Sequence, residues 1–262
     1  MANEKTISLD AMIESLLEEK KYNTLKDVFS TMNAADIAAL FEDLPDTTLP
    51  LLFRLLPKEL AADTGVEMEP ERQEMLITGF SDAELREVVD ELYVDDAADL
   101  VEEMPANVVS RILQQADPEK RRMINEILHY PEDSAGSIMT TEYVSLLPHM
   151  TVEEAIRRIR RVGVDKETIN TCFVVDEKRK LMGALTIRTL ILAEEDTELE
   201  AIMSPNTVCV TTTEDQETVA GQLAKYDLTS IPVVDGEGRL VGIVTIDDAV
   251  DVLVEEATED IE

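Results

Sequence analysis

The sequence has no tryptophan, only two histidines and two cysteines, and aromatic residues make up just 4% of it. The shortage of imidazole and thiol argues against zinc and copper centres, which draw on those ligands. His129 and His149 stand in HYPED and LPHMT, outside any catalytic motif, and no GxSxG, GxGxxG or P-loop pattern occurs, so nothing points to an enzyme. Cys172 and Cys209 have no CxxC spacing. Each lies in a strand-like apolar stretch, TCFVV and TVCVT, and both are expected to be buried thiols in a reducing compartment. Basic residues are also scarce, 23 against 57 acidic, for a net charge of −34. Docking onto nucleic acid or an anionic membrane surface needs clustered Lys and Arg, so this charge excludes both and makes cations the natural partners. No segment approaches the roughly 20 apolar residues of a membrane helix. The start, MANEKTISLDAMIESLLEEK, lacks the basic residues and apolar run of a secretion signal. A soluble, unsecreted chain is the expectation.

Hydrophobic residues make up 44% of the 262 positions, enough for two compact domains with separate cores. From about residue 5 to 130 the pattern is helical, with apolar positions at spacings of three and four, as in Ile7, Met12, Ile13, Leu16 and Leu17. Ser81 to Glu84 is a capping box, and Asp117-Pro118 pairs an N-cap with a proline at the first helical position. This half echoes itself. The stretch from Ala35 to Pro45 resembles that from Asp95 to Pro105, sixty positions later, and each copy precedes an apolar helix carrying one arginine, Arg54 or Arg111. A helix pair of this kind cannot bury its apolar face alone, so stacked hairpins forming a superhelix are expected.

After Tyr130 the pattern changes, and PEDSAG reads as a linker. The remainder holds a second repeat, begun by Ile138-Met139-Thr140 and again by Ile202-Met203-Ser204-Pro205, 64 residues on. Each unit reads as a short strand, a helix, and two strands joined by a turn. The helices are expected to open at capping boxes, Thr151 to Glu154 and Thr213 to Gln216. The strand pairs are 173–176 with 181–186 and 232–235 with 240–245, and Gly236 and Gly238 in DGEGR serve the turn. The expected fold class is α+β, with a helical domain over 1–130 and two repeated units over 131–200 and 201–262.

Two units in this order, with IMSP and IPVVDGEGRLVGIVTIDD, resemble a tandem of CBS domains, a ligand-sensing regulatory module. An acidic helical repeat joined to such a tandem through YPEDSAGSIMT, and ending in EATEDIE, resembles the cytosolic portion of the MgtE magnesium channel family.

The acidic residues are not evenly spread. Asp248, Asp251, Glu255 and Glu259 follow one another at helical spacings near the C-terminus, with Asp247, Glu256 and Asp260 beside them and no Lys or Arg after Arg239. Like charges so placed disfavour a helix by a few tenths of a kcal/mol per pair. A second group, Asp95, Asp96, Asp99, Glu102 and Glu103, falls on adjacent turns of one predicted helix, with Glu59 upstream. A charge run is ordinarily a solvated face, and acids favour a helix start. Read as a site, hard carboxylate oxygens without Cys or His suit magnesium, calcium or manganese. Magnesium keeps several waters and takes one or two carboxylates, which fits acids scattered along helices.

The family resemblance narrows the ion to Mg2+ and implies metal ligands at Asp227, Asp248, Asp251, Glu256, Glu259, Asp260 and Glu217. It extends to Asp95 and Asp99 and to the carbonyl of Gly136, while Glu59 stands as a further candidate ligand from the acidic cluster itself. It further implies a homodimer paired through the CBS units, at the cytoplasmic face of a membrane, and a gate that bound Mg2+ closes by drawing acidic faces together. The family's membrane pore domain is not among these residues. The competing reading is an adenine-nucleotide sensor for AMP or ATP, with Gly242, Thr245 and Asp248 in the phosphate- and ribose-holding turn. In the first unit Gly183 and Thr186 match that turn, but Thr189 replaces the acid.

Overall fold

The computed structural model describes residues 9–42, 44–102 and 104–259. The chain forms two compact units. One comprises Met1–Leu92 and Leu100–Arg121, the other Tyr93–Asp99 and Arg122–Glu262.

The helical half contains α1 (Leu9–Glu18), α2 (Tyr22–Phe29), α3 (Ala34–Glu42), α4 (Leu49–Phe53), α5 (Lys58–Val66), α6 (Pro70–Gly79), α7 (Asp82–Glu91), α8 (Val94–Glu102), α9 (Ala106–Gln115) and α10 (Pro118–Ile127). In the first unit α3 packs on α5, α5 on α7 and α7 on α9, the every-second-helix stacking of a solenoid. Both repeat arginines serve the corner between α6 and α7. Arg54 Nε donates to Glu84 Oε1 at 2.6 Å, while Arg111 donates to the carbonyl of Ile77 at 2.8 Å, to that of Phe80, and to Asp82 Oδ1 at 3.0 Å. The Ser81 capping box is complete: its hydroxyl accepts from the Glu84 amide and its amide donates to the Glu84 carboxylate. Asp117 caps α10, with Oδ1 accepting from the amides of Glu119 and Lys120.

The second unit carries the two repeats. Strands β1 (Ser145–Leu146), β2 (Thr171–Val175) and β3 (Leu181–Thr186) form one sheet in that order, with α11 (Val152–Val162) and α12 (Ile187–Leu192) beside it. After the single turn α13 (Leu199–Ile202), β4 (Val210–Thr211), β5 (Ser230–Val234) and β6 (Leu240–Thr245) repeat the sheet, with α14 (Gln216–Tyr226) and α15 (Ile246–Glu259). In each sheet the first pairing is parallel and the second antiparallel. A core of Tyr143, Phe173, Val175, Leu240 and Ile243 joins the repeats.

The repeats exchange their leading segments. Thr140 pairs with Ile243 of β6, and Ser204 pairs with Ala184 of β3. This crossing explains two glycines. A Cβ on Gly242 would sit 2.5 Å from Met139 Sδ and 2.9 Å from the Thr140 carbonyl oxygen, and one on Gly183 would sit 2.6 Å from the Ser204 carbonyl oxygen.

Two expectations need correction. The second repeat's helix is capped not from Thr213 but from Asp215, whose Oδ1 accepts from the Thr218 amide, so the helix starts at Gln216; a carboxylate is the stronger acceptor for a helix N-terminus. Cys172 is buried, with its thiol pushed up to about 12 by burial, but Cys209 is exposed. It precedes the two-residue β4, where alternation turns Val210 inward instead.

A buried carboxylate site on α8, α15 and the first repeat

The site lies within the second unit, where α8 begins. Val94 and Asp95 open the helix in place of the usual polar cap, and its first amide is satisfied from a distance: the Val94 N–H donates to Glu142 Oε2 at 2.9 Å. The carbonyl of the same Glu142 accepts from the Glu167 amide at 2.9 Å. Glu142 thus ties the start of α8 to the segment between α11 and β2 that carries Glu167.

Asp95 is 4% exposed, and its Oδ1 has no hydrogen-bond partner. Burial first, then the charge of Asp248, then those of Asp96, Glu167 and Asp99 push its carboxyl well above the usual range. Glu167 also has a buried oxygen, Oε2, without a hydrogen-bond partner. Burial, followed by Asp248, Asp96, Asp247 and Glu142, raises its pKa to about 8. Asp248 is raised by burial, with Asp247 and Asp251 adding repulsion, although the Thr245 hydroxyl opposes the shift by donating to Asp248 Oδ2 at 2.5 Å. The charges acting most strongly on Asp95 and Glu167 are all negative. Like charges in such a buried setting repel, and protons or cations relieve the repulsion.

The donor set fits a hard divalent cation, being carboxylate oxygen throughout with buried acceptors to spare. Among the described residues, however, no three carboxylates, imidazoles or thiols converge tightly enough to hold an ion between them. An ion that keeps its own water shell suits that spacing better than a bare one.

The structure brings Asp95 and Asp248 together, with Asp99 acting on Asp95 and Asp251 on Asp248. Asp227 is the exposed left-handed C-cap of α14 (φ 51°), and Glu217 is exposed in that helix's first turn. Glu59 is exposed on α5 of the first unit, where it repels Asp63. Gly136 is buried, its amide donating to the Thr212 carbonyl at 2.9 Å and its Cα packed too closely against Tyr130 for a side chain. Asp260 and Glu103 lie outside the described residues, as do the side chains of Glu255, Glu256 and Glu259. Gly242 and Thr245, the nucleotide candidates, are both buried. Thr245 directly precedes α15, and Asp248 Oδ2 accepts from both its amide and its hydroxyl.

Sequence reasoning missed Glu142 and Glu167. In DKETIN, Glu167 is one acid among many, with no periodicity or motif to mark it.

Comparison with known proteins agrees with this architecture. Residues 12–133 match the family described as the MgtE intracellular N domain, and residues 135–196 and 199–255 match the CBS domain. The magnesium transporter MgtE of Thermus thermophilus is 42% identical over 97% of this chain and 57% of its own length. That of Bacillus subtilis is 31% identical over 94% of this chain and 55% of its own length. The chain therefore spans a little more than half of these curated relatives. The crystal structure of the cytosolic domain of the Mg2+ channel MgtE in complex with ATP superposes with a TM-score of 0.89 at 40% identity, over 93% of this chain and all of that one. The soluble part of a magnesium transporter superposes at 0.87 with 29% identity, over 95% of this chain and 98% of that one. With its solenoid, its paired repeats and these matches, the chain belongs to the MgtE family and covers that family's N domain and CBS pair.

Proposed function

We propose that this chain is the Mg2+-sensing regulatory region of a magnesium transporter and that its role is regulatory, not catalytic. The observation that carries the reading is Asp95, a buried carboxylate with an unpartnered oxygen set against Asp248 and Glu167. In the absence of a cation these groups repel or take up protons. When Mg2+ is available, Asp95 and Asp248 hold it and the start of α8 is fixed against the CBS pair. In the full transporter, at the cytoplasmic face of its membrane, that constraint is passed to the pore.

Pairing with a second copy belongs to the same proposal. Ile246, Val250 and Leu253 form an exposed apolar stripe on α15, with Ile191 and Leu192 exposed on α12.

Small-angle scattering in EDTA and in rising Mg2+, at constant ionic strength, tests the reading. Compaction that disappears in Asp95→Asn and Asp248→Asn is expected; a profile that Mg2+ leaves unchanged overturns it.

A second reading, adenine-nucleotide binding at Gly242, Thr245 and Asp248, is supported by the similar cytosolic domain described in complex with ATP. Asp248 would then serve both ligands, so ATP and Mg2+ would alter each other's affinity at that residue.

A further inference from the structure

We propose that Glu167, from the first CBS unit, is a further ligand of the divalent-cation site, facing Asp95 and Asp248 and engaging the ion through its water shell. This rests on the Mg2+ reading above and assigns the site a third wall.

Three observations support it. The Glu167 Oε2 atom is buried and accepts no hydrogen bond, as is true of Asp95 Oδ1. Two such oxygens with no protein donor are costly unless a cation or ordered water serves them. The segment bearing Glu167 is also held in place: its amide is bonded to the Glu142 carbonyl, and the Glu142 carboxylate is bonded to the first amide of α8. The groups acting on Glu167 come from three separate elements, with Asp96 on α8, Asp247 and Asp248 on α15, and Glu142 before β1. A carboxylate set among these acids is repelled where a glutamine would not be, and a cation relieves that repulsion. Among the described residues no three ligating groups converge directly, an arrangement suited to a hydrated ion whose shell spans wider gaps between carboxylates.

The test is thermal unfolding of the whole chain over a Mg2+ titration, for the parent protein, Glu167→Gln, Asp95→Asn, and Glu200→Gln, an exposed acid of α13 outside every candidate ligand set, as control. Glu167→Gln removes repulsion but also a ligand, so two opposite effects are expected. Its melting temperature in EDTA rises above the parent's, while the midpoint of Mg2+ stabilisation moves about tenfold higher in concentration. A residue of purely structural role would not change both in that way. The control keeps the parent midpoint. Glu167→Asp, which retains the charge, is expected to keep most of the affinity and covers the case in which the amide variant folds poorly. Hexaamminecobalt(III), an exchange-inert mimic of hydrated magnesium, is expected to compete with Mg2+. If the parent responds to Mg2+ and Glu167→Gln keeps its midpoint, Glu167 is not a ligand although the sensor reading stands. If the cobalt complex fails to compete, the water-mediated contact is wrong. If the parent itself shows no Mg2+ response, the sensor reading fails and the inference falls with it.

Discussion

The amide of Val94 donates to the carboxylate of Glu142 at 2.9 Å, so the first turn of α8 is capped by a residue 48 positions away in sequence. A cap supplied from elsewhere in the fold does two jobs. It satisfies an orphan helix donor, and it fixes where Asp95 stands relative to the CBS repeats.

Removing that cap should therefore weaken stability and metal response together. Glu142→Ala is expected to cost about 1 kcal/mol, a fall of roughly 2–4 °C in melting temperature for a domain of this size. It should also raise the Mg2+ concentration needed for half-maximal stabilisation. Differential scanning fluorimetry in EDTA and in Mg2+ measures both, and an unchanged Mg2+ midpoint would show that the cap is merely local.

Proton linkage gives a second expectation. Glu167 has a folded pKa of about 8 against an ordinary value of 4.5, and Asp95 and Asp248 are shifted in the same direction. The folded state then binds more protons than the unfolded state, so stability from this site is fully present below the unfolded pKa and is lost as pH rises through about 8. In EDTA the melting temperature of the second unit should rise as the pH is lowered from 8.5 toward 6. Saturating Mg2+ competes with those protons and should flatten the slope. The helical unit contains a group of opposite sign. Glu84 is held down to about 2, first by the hydrogen bond from Arg54, so what it contributes is present above about 4.5 and is lost as pH falls from there through about 2.

Much of this fold was legible because it is locally encoded. The capping boxes at Ser81 and Thr151 formed with both bonds, and the repeated glycine strands appeared where alternation and turn residues placed them. The site was legible only in part. Asp95 and Asp248 stood out because the acids around them fall at helical spacings, a signal that a sequence carries. Glu167 and Glu142 owe their roles to a loop brought against a helix start by tertiary structure, and nothing local distinguishes them from the other acids. Asp227 and Glu217, carried over by resemblance, are exposed at the C-cap and in the first turn of α14.

The crossing of the two repeats predicts an asymmetry between glycines. Gly242→Ala puts a methyl group against Met139 Sδ and the Thr140 carbonyl, backbone that cannot move without breaking the Thr140 to Ile243 pairing. A loss of about 1–3 kcal/mol is expected. Gly236→Ala meets nothing within 4 Å and should be close to neutral. Chemical denaturation of both variants decides the matter. Equal stability would mean that the glycine of β6 is kept for a ligand and not for packing.

The last prediction concerns a buried cation in the helical unit. Lys120, 8% exposed, donates from Nζ to the carbonyls of Val89 and Asp90 at 2.9 and 3.0 Å and also to that of Leu92, closing the C-terminal end of α7. Those carbonyls carry the negative end of the helix dipole, and those of Val89 and Leu92 are buried, so a positive donor both satisfies and neutralises them. Lys120→Met keeps the length and apolar stem but leaves the carbonyls without this donor, at an expected cost of about 1–3 kcal/mol. Arg at the same position is a poorer substitute than its charge suggests, because a planar fork does not reproduce three donors radiating from one atom. Hydrogen exchange should show α7 and α10 opening more readily in the Met variant, with β5 and β6 unaffected. If exchange at α7 stays at the parent rate, the lysine is dispensable to that helix end and the destabilisation must be sought elsewhere.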